Sequence, residues 1–493
     1  MAMDSSRDSI SDLPDEILGK ILSLLPTKVA ASTSVLSKRW KNLLSFVDTL
    51  SFDESVVVYS YEEETSGLHR FSDFVDKALA LLSNSHIKKF SLCHSPRRDC
   101  EETYQRWIWT AMEYSLLELY LHSDRMIDIE IELFTSKTLV KLTLSDGYCV
   151  EVKNVFFPAL KSLSLLSVLG LDYPNYCRLL DGCPVLEDLV IHETDDWSPP
   201  GCSAVVDNPS IKRLVVFVNL PGYIEHHDLI YVEAPSLVYL DYSSYVLEDY
   251  EFVDLNSLVE VRLSLRLWDS PYKYDYSDDD YHGYYDDDER KEADIFGDVT
   301  NLVVSISHIT TLHLSPDSLE AFRFCCKSMP VFNNLLNLSI ESSKDKGWQV
   351  MPLLLKSCPN LHTLVIKGLV HRVTNRCGDV CSCIPKKHKK KKRKIAMNKK
   401  EEELCCLSTC QVKVLEISEY GGSFQELKQM RHFLGKLKCL ETVKVGIVAD
   451  TNNNEFLEAN LLSIPRLSSP IHLTFSFLVC FFTLINMVNM NMV

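Results

Sequence analysis

The chain lacks the sequence features of a secreted protein, of a general nucleic-acid-binding protein and of the common enzyme classes. Residues 1–10 are polar and mixed in charge, without the apolar stretch of a secretory signal. The net charge of −17 is the wrong sign for an overall phosphate-binding surface. There is no Walker-type glycine loop, H-E-x-x-H, G-x-S-x-G or G-x-G-x-x-G motif. We therefore expect an intracellular protein of the nucleus or cytoplasm that is not an enzyme, has no cofactor and binds no DNA or RNA.

The composition is that of a folded protein without a disulfide framework. Of the 493 residues, 46% are hydrophobic and 24% are charged, a balance typical of soluble proteins with a substantial core. This length suits two or three domains or one elongated repeat array. The 17 cysteines are odd in number and scattered, so we expect reduced thiols, most of them buried.

Residues 12–44 predict three short helices. Pro14 fits the first turn of a helix, and apolar residues then recur at helical spacing until Pro26. Thr27 is placed to cap a second helix, and residues 37–40 begin a third. Such a module buries too little apolar surface to be stable by itself, so part of that surface is expected to meet a partner.

Three segments of this region resemble a plant-type F-box: residues 10–18, 24–28 and 33–40. The resemblance implies binding to the Skp-type adaptor of a ubiquitin ligase, and through it to a cullin. The matching positions that would face the adaptor are Leu13, Pro14, Ile17, Leu18, Ile21, Leu22, Pro26 and Trp40. The alternative is that these side chains form only an internal three-helix core.

The middle of the chain repeats the pattern apolar-x-x-apolar-x-apolar, as at Leu116, Leu119 and Leu121. Successive copies mostly begin about 21 to 28 residues apart, the period of leucine-rich repeats. A proline, which cannot donate to a strand ladder, is expected in the turn before several strands. These prolines are Pro158, Pro184, Pro209, Pro235 and Pro359.

In such an array parallel strands bury their leucines, and the alternate polar residues line a surface suited to a protein target. The candidates for that surface are Glu118, Lys141, Lys161, Glu187, Lys212 and Tyr239. The alternative is an ordinary α/β domain with leucine-rich strands.

Two insertions of opposite charge interrupt the pattern. Residues 271–292 are rich in aspartate and tyrosine, and the repulsion between their many carboxylates predicts a solvated loop. A basic cluster follows, which is sufficient for a nuclear-import signal or for binding an anionic partner; we expect import, and the alternative is a solvated basic loop. Its members are Lys386, Lys387, Lys389, Lys390, Lys391, Lys392, Arg393 and Lys394.

Cysteines and histidines near the basic cluster invite comparison with a zinc site. Thiolate and imidazole are the usual zinc ligands, but the C-x-x-x-C-x-C spacing lacks the paired C-x-x-C knuckles of common structural sites. The sequence alone therefore assigns no metal. The residues concerned are Cys377, Cys381 and Cys383, with His371 and His388.

Residues 409–477 predict a strand, an amphipathic helix at Phe424–Leu434, and a second strand. This arrangement resembles the FBD unit that ends many plant F-box proteins. Beyond it lies an apolar tail, residues 478–493. The tail region has only about fifteen apolar residues, whereas a membrane-spanning helix needs roughly 20. We therefore expect an aggregation-prone apolar extension and not a membrane anchor.

We thus predict an α/β fold with an N-terminal three-helix F-box, a leucine-rich-repeat solenoid of parallel strands with short helices and loops, and a C-terminal α/β FBD-like unit. The predicted segments are an F-box at 1–50, repeats at 51–370, a linker at 371–408, the FBD-like unit at 409–477 and the tail at 478–493.

The predicted function is substrate recognition in a Skp/cullin/F-box ubiquitin ligase, with the repeats binding an unidentified target protein. One alternative is a repeat scaffold uncoupled from ubiquitination. A second alternative is a cysteine-dependent ligase or hydrolase, which needs a thiol of low pKa beside a basic group.

Overall fold

The computed structural model of the chain describes most of the sequence in several stretches. They are residue 10 and residues 12–54, 64–81, 87–94, 101–129, 135–150, 154–168, 171, 173–194, 205–219, 229–268, 295–374, 377, 380–382, 406–448, 454–465 and 472–478. The chain divides into two compact units, Met1–Ser203 and Ala204–Val493. None of the helices within the described stretches has the length and apolar content needed to cross a membrane.

The three predicted N-terminal helices are confirmed. They are α1 (Asp15–Leu22), α2 (Thr27–Ser32) and α3 (Lys38–Asn42), with 3-10 turns at Thr33–Val35 and Leu43–Phe46. Ser37 caps α3 by accepting a hydrogen bond from the Trp40 amide at 3.4 Å. The predicted capping role of Thr27 is wrong, because Thr27 is already helical and Pro26 precedes α2 without a side-chain cap.

Close packing and two polar contacts hold this helical module together and join it to β1 (Thr49–Asp53). A Cβ atom at Gly19 would lie 2.5 Å from Cβ of Phe46, so only glycine permits this approach of the second 3-10 turn to α1. The Ser23 hydroxyl accepts from the Asp48 amide at 3.0 Å. The Thr27 hydroxyl accepts a hydrogen bond from the Ser51 amide at 2.7 Å, which connects the start of α2 to β1.

The first unit continues as a parallel ladder in the order β1-β2-β3-β4-β5-β6. Its further strands are β2 (Lys89–His94), β3 (Glu118–Ile129), β4 (Lys141–Val150), β5 (Ser162–Leu166) and β6 (Asp188–Glu193); its further helices are α4 (Glu64–Leu81), α5 (Glu101–Met112) and α6 (Tyr173–Asp181). The register sets Phe90 beside Leu119 and Leu119 beside Leu142, so the apolar residues form continuous buried rows.

The second unit has a parallel ladder in the order β8-β10-β12-β13-β14-β15-β16-β17-β18 and a smaller parallel sheet, β11-β9-β7. Its strands are β7 (Val205–Asp207), β8 (Arg213–Val218), β9 (Leu229–Glu233), β10 (Tyr239–Tyr245), β11 (Asp249–Val253), β12 (Glu260–Arg266), β13 (Thr311–Leu314), β14 (Asn337–Glu341), β15 (Thr363–Lys367), β16 (Val414–Tyr420), β17 (Thr442–Val448) and β18 (His472–Leu478). Its helices are α7 (Thr300–Ser305), α8 (Pro316–Cys325), α9 (Met351–Lys356), α10 (Cys406–Thr409), α11 (Phe424–Leu434) and α12 (Asn454–Leu462).

Alternation along each strand separates the core from the outward face. Leu312, Leu338 and Leu364 lie in register on β13, β14 and β15, and each is fully buried. The residues that alternate with these leucines along each strand point to the outward face of the sheet. Each of the five predicted prolines begins a two-residue turn before a strand. At that position its missing N–H costs no hydrogen bond of the strand ladder. The parallel, repeat-like fold class predicted from the sequence is confirmed.

The C-terminal strand-helix-strand pattern is present as β16, α11 and β17. The helix begins with a capping box in which Ser423 accepts from the Glu426 amide and Glu426 accepts from the Ser423 amide. Its resemblance to an FBD unit stays a prediction, as do the predicted domain boundaries.

One ion pair in the second unit joins an almost fully buried carboxylate to a lysine side chain that is 32% exposed. Lys346 Nζ lies 2.8 Å from a carboxylate oxygen of Glu320, a side chain only 3% exposed, and 3.1 Å from Asp317. A buried carboxylate without its cation is strongly unfavourable. The pair therefore fixes the segment before α9 against α8.

We predict that Lys346→Met lowers the free energy of unfolding by about 1 to 3 kcal/mol, because it leaves the buried Glu320 without its charged partner. Urea unfolding followed by circular dichroism measures this change. The matched control is Lys327→Met, which removes an ion pair with Asp298 in which the lysine side chain is 81% exposed. Equal stability of the two variants would contradict the assigned role of Lys346.

Candidate functional site

The N-terminal helical module, residues 12–50, exposes an unusual amount of apolar surface. Leu24 is 84% exposed, Val35 85% and Leu36 65%. Further large apolar side chains exposed in this module are Ile17, Ile21, Val29 and Phe46. We call these seven side chains the apolar helical surface. Such a concentration on three short helices marks a place where another protein can bind.

The eight predicted adaptor contacts divide according to their burial. Ile17 and Ile21 are 41% and 44% exposed, one helical turn apart on α1. Pro14 and Pro26 are also exposed, and Leu13 and Trp40 are half-buried. Leu18 and Leu22 are 0% and 1% exposed, so their side chains form the internal core and are not available at the surface.

Sequence reasoning missed five members of the apolar helical surface that lie beyond α1: Leu24, Val29, Val35, Leu36 and Phe46. The signal available in the sequence was the shortness of the helices, which cannot cover one another's apolar residues. The relative placement of α1 and α3 is set by Arg39, whose guanidinium lies 2.6 Å from Asp15 and donates to the Leu13 carbonyl. These contacts hold α3 against the start of α1.

The outward face of the first ladder carries mostly solvated ion pairs. Lys89 lies 2.8 Å from Glu118, and Lys161 lies 3.4 Å from Glu187. Pairs this exposed contribute little net free energy. Three predicted target-facing residues, Glu118, Lys161 and Glu187, therefore already have partners within the chain.

A histidine, a serine and an aspartate meet on the same face. His122 Nδ1 lies 2.8 Å from Asp146 and 3.3 Å from the Ser145 hydroxyl, which itself donates to Asp146 at 2.6 Å. A hydrolase triad needs the serine and the carboxylate on opposite nitrogens of the imidazole. Both contact Nδ1 here, so this geometry does not provide a general base for Ser145.

The cluster does shift the titration of its members. The hydrogen bond that His122 donates to the Asp146 carboxylate raises the pKa of His122 above its ordinary value. Burial acts to raise the pKa of Asp146, but hydrogen bonds from His122 and Ser145 outweigh it and lower that pKa. The charged pair therefore stabilises the fold below the raised pKa of His122 and is lost as the pH rises through that value. It is also lost as the pH falls through the lowered pKa of Asp146.

We predict that His122 titrates above free histidine and that Asp146→Asn lowers its midpoint. Carbon-13 NMR of histidine-labelled protein follows the ring carbon across this range. The control is Asp124→Asn, which removes the same charge from an exposed aspartate that acts on His122 only through its coulombic field. A midpoint that moves equally in both variants would contradict the direct pair.

The outward face of β8, β10 and β12 in the second unit is different, because aromatic rings and arginines lie side by side on it. Tyr239 on β10 has the guanidinium carbons of Arg213 and Arg262 at 5.5 and 5.8 Å from its ring centre. Its hydroxyl donates to Asp241 at 3.3 Å. Tyr239 is half-buried and the two arginines are exposed, an arrangement suited to protein contact.

A second aromatic group lies farther along the same strands. Arg266 lies 4.6 Å from the ring centre of Tyr245, and that ring stacks on Trp268 at 4.4 Å. Arg266 also donates to the Asn219 side chain and to the Val218 carbonyl, both at 2.6 Å. We call Arg213, Tyr239, Tyr245, Arg262, Arg266 and Trp268 the aromatic-arginine face. Only Tyr239 among them was predicted, because strand sequences do not reveal which side chains become cross-strand neighbours.

Three of the five candidate metal-binding residues named from the sequence lie close together in the structure. The ligand atoms of His371, Cys377 and Cys381 all lie within 4.8 Å of one another, and the three side chains are buried. His371 Nε2 lies 3.0 Å from Cys381 Sγ. Cys383 and His388 lie outside the described residues.

Hydrogen bonds from Cys381, and then from His371 and Thr374, hold the pKa of the Cys377 thiol well below its usual range, against the effect of burial. Other buried cysteines behave in the opposite way. Burial alone raises the pKa of Cys183 and of Cys358 to about 12. Hydrogen bonds thus lower the pKa of the Cys377 thiol, whereas burial raises the pKa of the Cys183 and Cys358 thiols.

Other predicted features fall outside the described residues and have no structural account. They are the acidic insertion 271–292, the basic cluster Lys386–Lys394, and the tail after residue 478.

Comparison with known proteins supplies related sequences for most of the chain. A family model for the F-box domain matches residues 10–51. An F-box/LRR-repeat protein of Arabidopsis thaliana is 66% identical over 492 residues, which cover 96% of this chain and 99% of the relative. An F-box protein of the same plant is 48% identical over 486 residues, with 95% of this chain and 99% of the relative covered. A further F-box/LRR-repeat protein is 45% identical over 486 residues with the same coverage.

Proposed function

The chain belongs to the family of plant F-box/LRR-repeat proteins, and on that premise we propose that it is the substrate-recognition subunit of a Skp/cullin/F-box ubiquitin ligase. The observation that carries the proposal is the apolar helical surface, which lies within the segment that matches the F-box domain. F-box domains are the part of such proteins that docks on a Skp-type adaptor.

The docking surface that we propose leaves out Leu18 and Leu22, because both are buried within the module. It retains the other six predicted residues and adds three apolar side chains, Leu24, Val35 and Leu36. These three are large and mostly exposed, so the complete burial of any one of them would contribute roughly 1.5 to 3 kcal/mol. A surface of this kind supplies the central apolar anchors that stable interfaces need.

In this function the protein contributes proximity. The helical module binds the adaptor and so the cullin, and the ladders hold a target protein near the conjugating enzyme that the complex recruits. Holding two reactants together raises their effective concentration without new chemistry in the holding subunit. The protein is therefore an adaptor and not an enzyme.

We predict that Ile17→Asp and Ile21→Asp each weaken binding to a recombinant plant Skp-type adaptor by at least about thirtyfold, the loss expected at an apolar anchor. Calorimetric titration of the purified chains measures the affinity. The matched control is Val304→Asp on α7, an apolar helical side chain of comparable exposure, 48%. Equal adaptor binding by Ile17→Asp and the control would refute the proposed docking surface.

The wild-type chain separates the proposal from the scaffold alternative. The ligase subunit should capture both the adaptor and the cullin from plant extract. A chain that binds other proteins and captures neither would be a repeat scaffold uncoupled from ubiquitination.

We further propose that the aromatic-arginine face receives the target protein. Trp, Tyr and Arg are the residues most enriched at interface hot spots, since each buries a large area and keeps polar groups for partners. Here Tyr239 is held between two arginines, so its ring is ordered before binding and less side-chain entropy is lost.

The target proposal predicts that the double variant Tyr239→Ala, Arg262→Ala loses labelled target proteins but keeps the adaptor. Proximity labelling with proteasome inhibition identifies the targets that accumulate on the wild-type chain. The control is Lys89→Ala, Glu118→Ala, which removes a solvated ion pair from the first ladder. Identical sets of labelled proteins for the wild type and the Tyr239 variant would place the target elsewhere.

Cys377 has the low pKa and the neighbouring imidazole that a cysteine-dependent enzyme needs, but its side chain is only 2% exposed. A nucleophile must reach its substrate, so this burial does not favour the enzyme alternative. Nuclear import through Lys386–Lys394 remains a sequence prediction, and so does the role of the FBD-like unit.

A further inference from the structure

We propose that His371, Cys377 and Cys381 bind one zinc ion in the second unit, and that this ion fixes the segment after β15 against α11. The proposal does not depend on the ligase function. It rests on the convergence of the three ligand atoms, on the groups that orient them, and on their burial.

The spacing of the ligand atoms suits a tetrahedral ion. Zinc bonds of about 2.3 Å to sulfur and about 2.0 Å to nitrogen place neighbouring ligand atoms roughly 3.5 to 3.8 Å apart. The three atoms here lie within 4.8 Å of one another, with His371 Nε2 at 3.0 Å from Cys381 Sγ. Side-chain adjustments of an ångström or less therefore bring all three to bonding distance of one ion.

A set of neighbouring groups orients these ligands. The Leu369 carbonyl lies 3.3 Å from His371 Nδ1 and can accept a hydrogen bond from it, and in that tautomer the lone pair of Nε2 faces Cys381 Sγ. The imidazole also stacks on Trp348, with ring centres 4.0 Å apart and planes at 10°. The Thr374 hydroxyl lies 3.4 Å from Cys377 Sγ, within reach for donation to a thiolate. Such outer contacts are characteristic of metal-binding histidines and thiolates.

Burial makes a cation necessary for thiolates at this place. Cys377 and Cys381 are 2% and 1% exposed, and His371 is 8% exposed. Cysteines this far from water are otherwise neutral thiols, and they become stable thiolates only where a positive charge compensates them. A divalent ion supplies that charge. Thiolate and imidazole together select zinc over magnesium or calcium, which prefer oxygen ligands.

The ion would complete a connection that is already half made by Gln429 on α11. The Gln429 amide nitrogen donates to the Val380 carbonyl at 2.7 Å, and its oxygen accepts from the Ser382 amide at 2.9 Å. Gln429 is itself buried. Zinc bound beside these contacts would hold residues 371–382 by side chains as well as by backbone, so metal binding and local folding would be coupled.

Metal analysis of the purified, reduced full-length chain tests the proposal directly. We expect one zinc ion per chain in the wild type. The double variant Cys377→Ser, Cys381→Ser should lose that zinc, as should His371→Asn in part. The matched control is Cys358→Ser, which alters a cysteine that is 1% exposed but lies outside the cluster, and which should keep the full zinc content.

Two measurements on the wild type keep the test independent of whether the variants fold. Cobalt exchanged into the protein should show the ultraviolet charge-transfer absorption of thiolate ligands. A strong chelator should lower the melting temperature, and added zinc, but not magnesium, should restore it.

Absence of zinc and of any cobalt-thiolate absorption in the reduced wild type would overturn the proposal. So would iron with labile sulfide at the site. A chain purified without reductant whose mass is lower by two hydrogens, with Cys377 joined to Cys381, would also overturn it in favour of a disulfide.

Discussion

The register that sets the leucines of neighbouring parallel strands side by side is the constraint on which the rest of the structure depends. Because each strand places its leucines beside those of the next, the apolar rows run unbroken through each ladder. A slip of one residue would turn every buried leucine outward. The same register fixes the outward rows, where it sets Tyr239 beside Arg213 and, on the other side, beside Glu260. Core and binding face are thus two results of one alternation.

The helical module, in contrast, buries only part of its apolar surface. It is too short to bury all its apolar residues, so α1 divides its stripe between an inner pair, Leu18 and Leu22, and an outer pair, Ile17 and Ile21. Gly19 lets the second 3-10 turn approach closely enough to cover the inner pair. What stays uncovered is available to a partner, and the free energy of its burial is realised only on binding.

Buried polar groups provide the remaining fixed points of the second unit. Glu320 has Lys346 as its partner, and Gln429 satisfies both a backbone carbonyl and a backbone amide. The His371 cluster follows the same rule, since buried groups that carry charge need compensation. Each of these contacts joins segments that the leucine rows alone would leave unattached.

The sequence by itself determined the parallel repeat fold, the turns at the prolines and the three N-terminal helices, because all of these follow from patterns between near neighbours. It also identified His371, Cys377 and Cys381 as possible ligands, yet could not tell which of five such residues meet. Only the tertiary structure decided that, along with the burial of Leu18 and the pairing of Tyr239 with two arginines. These contacts depend on how segments distant in sequence pack together, which no local period encodes.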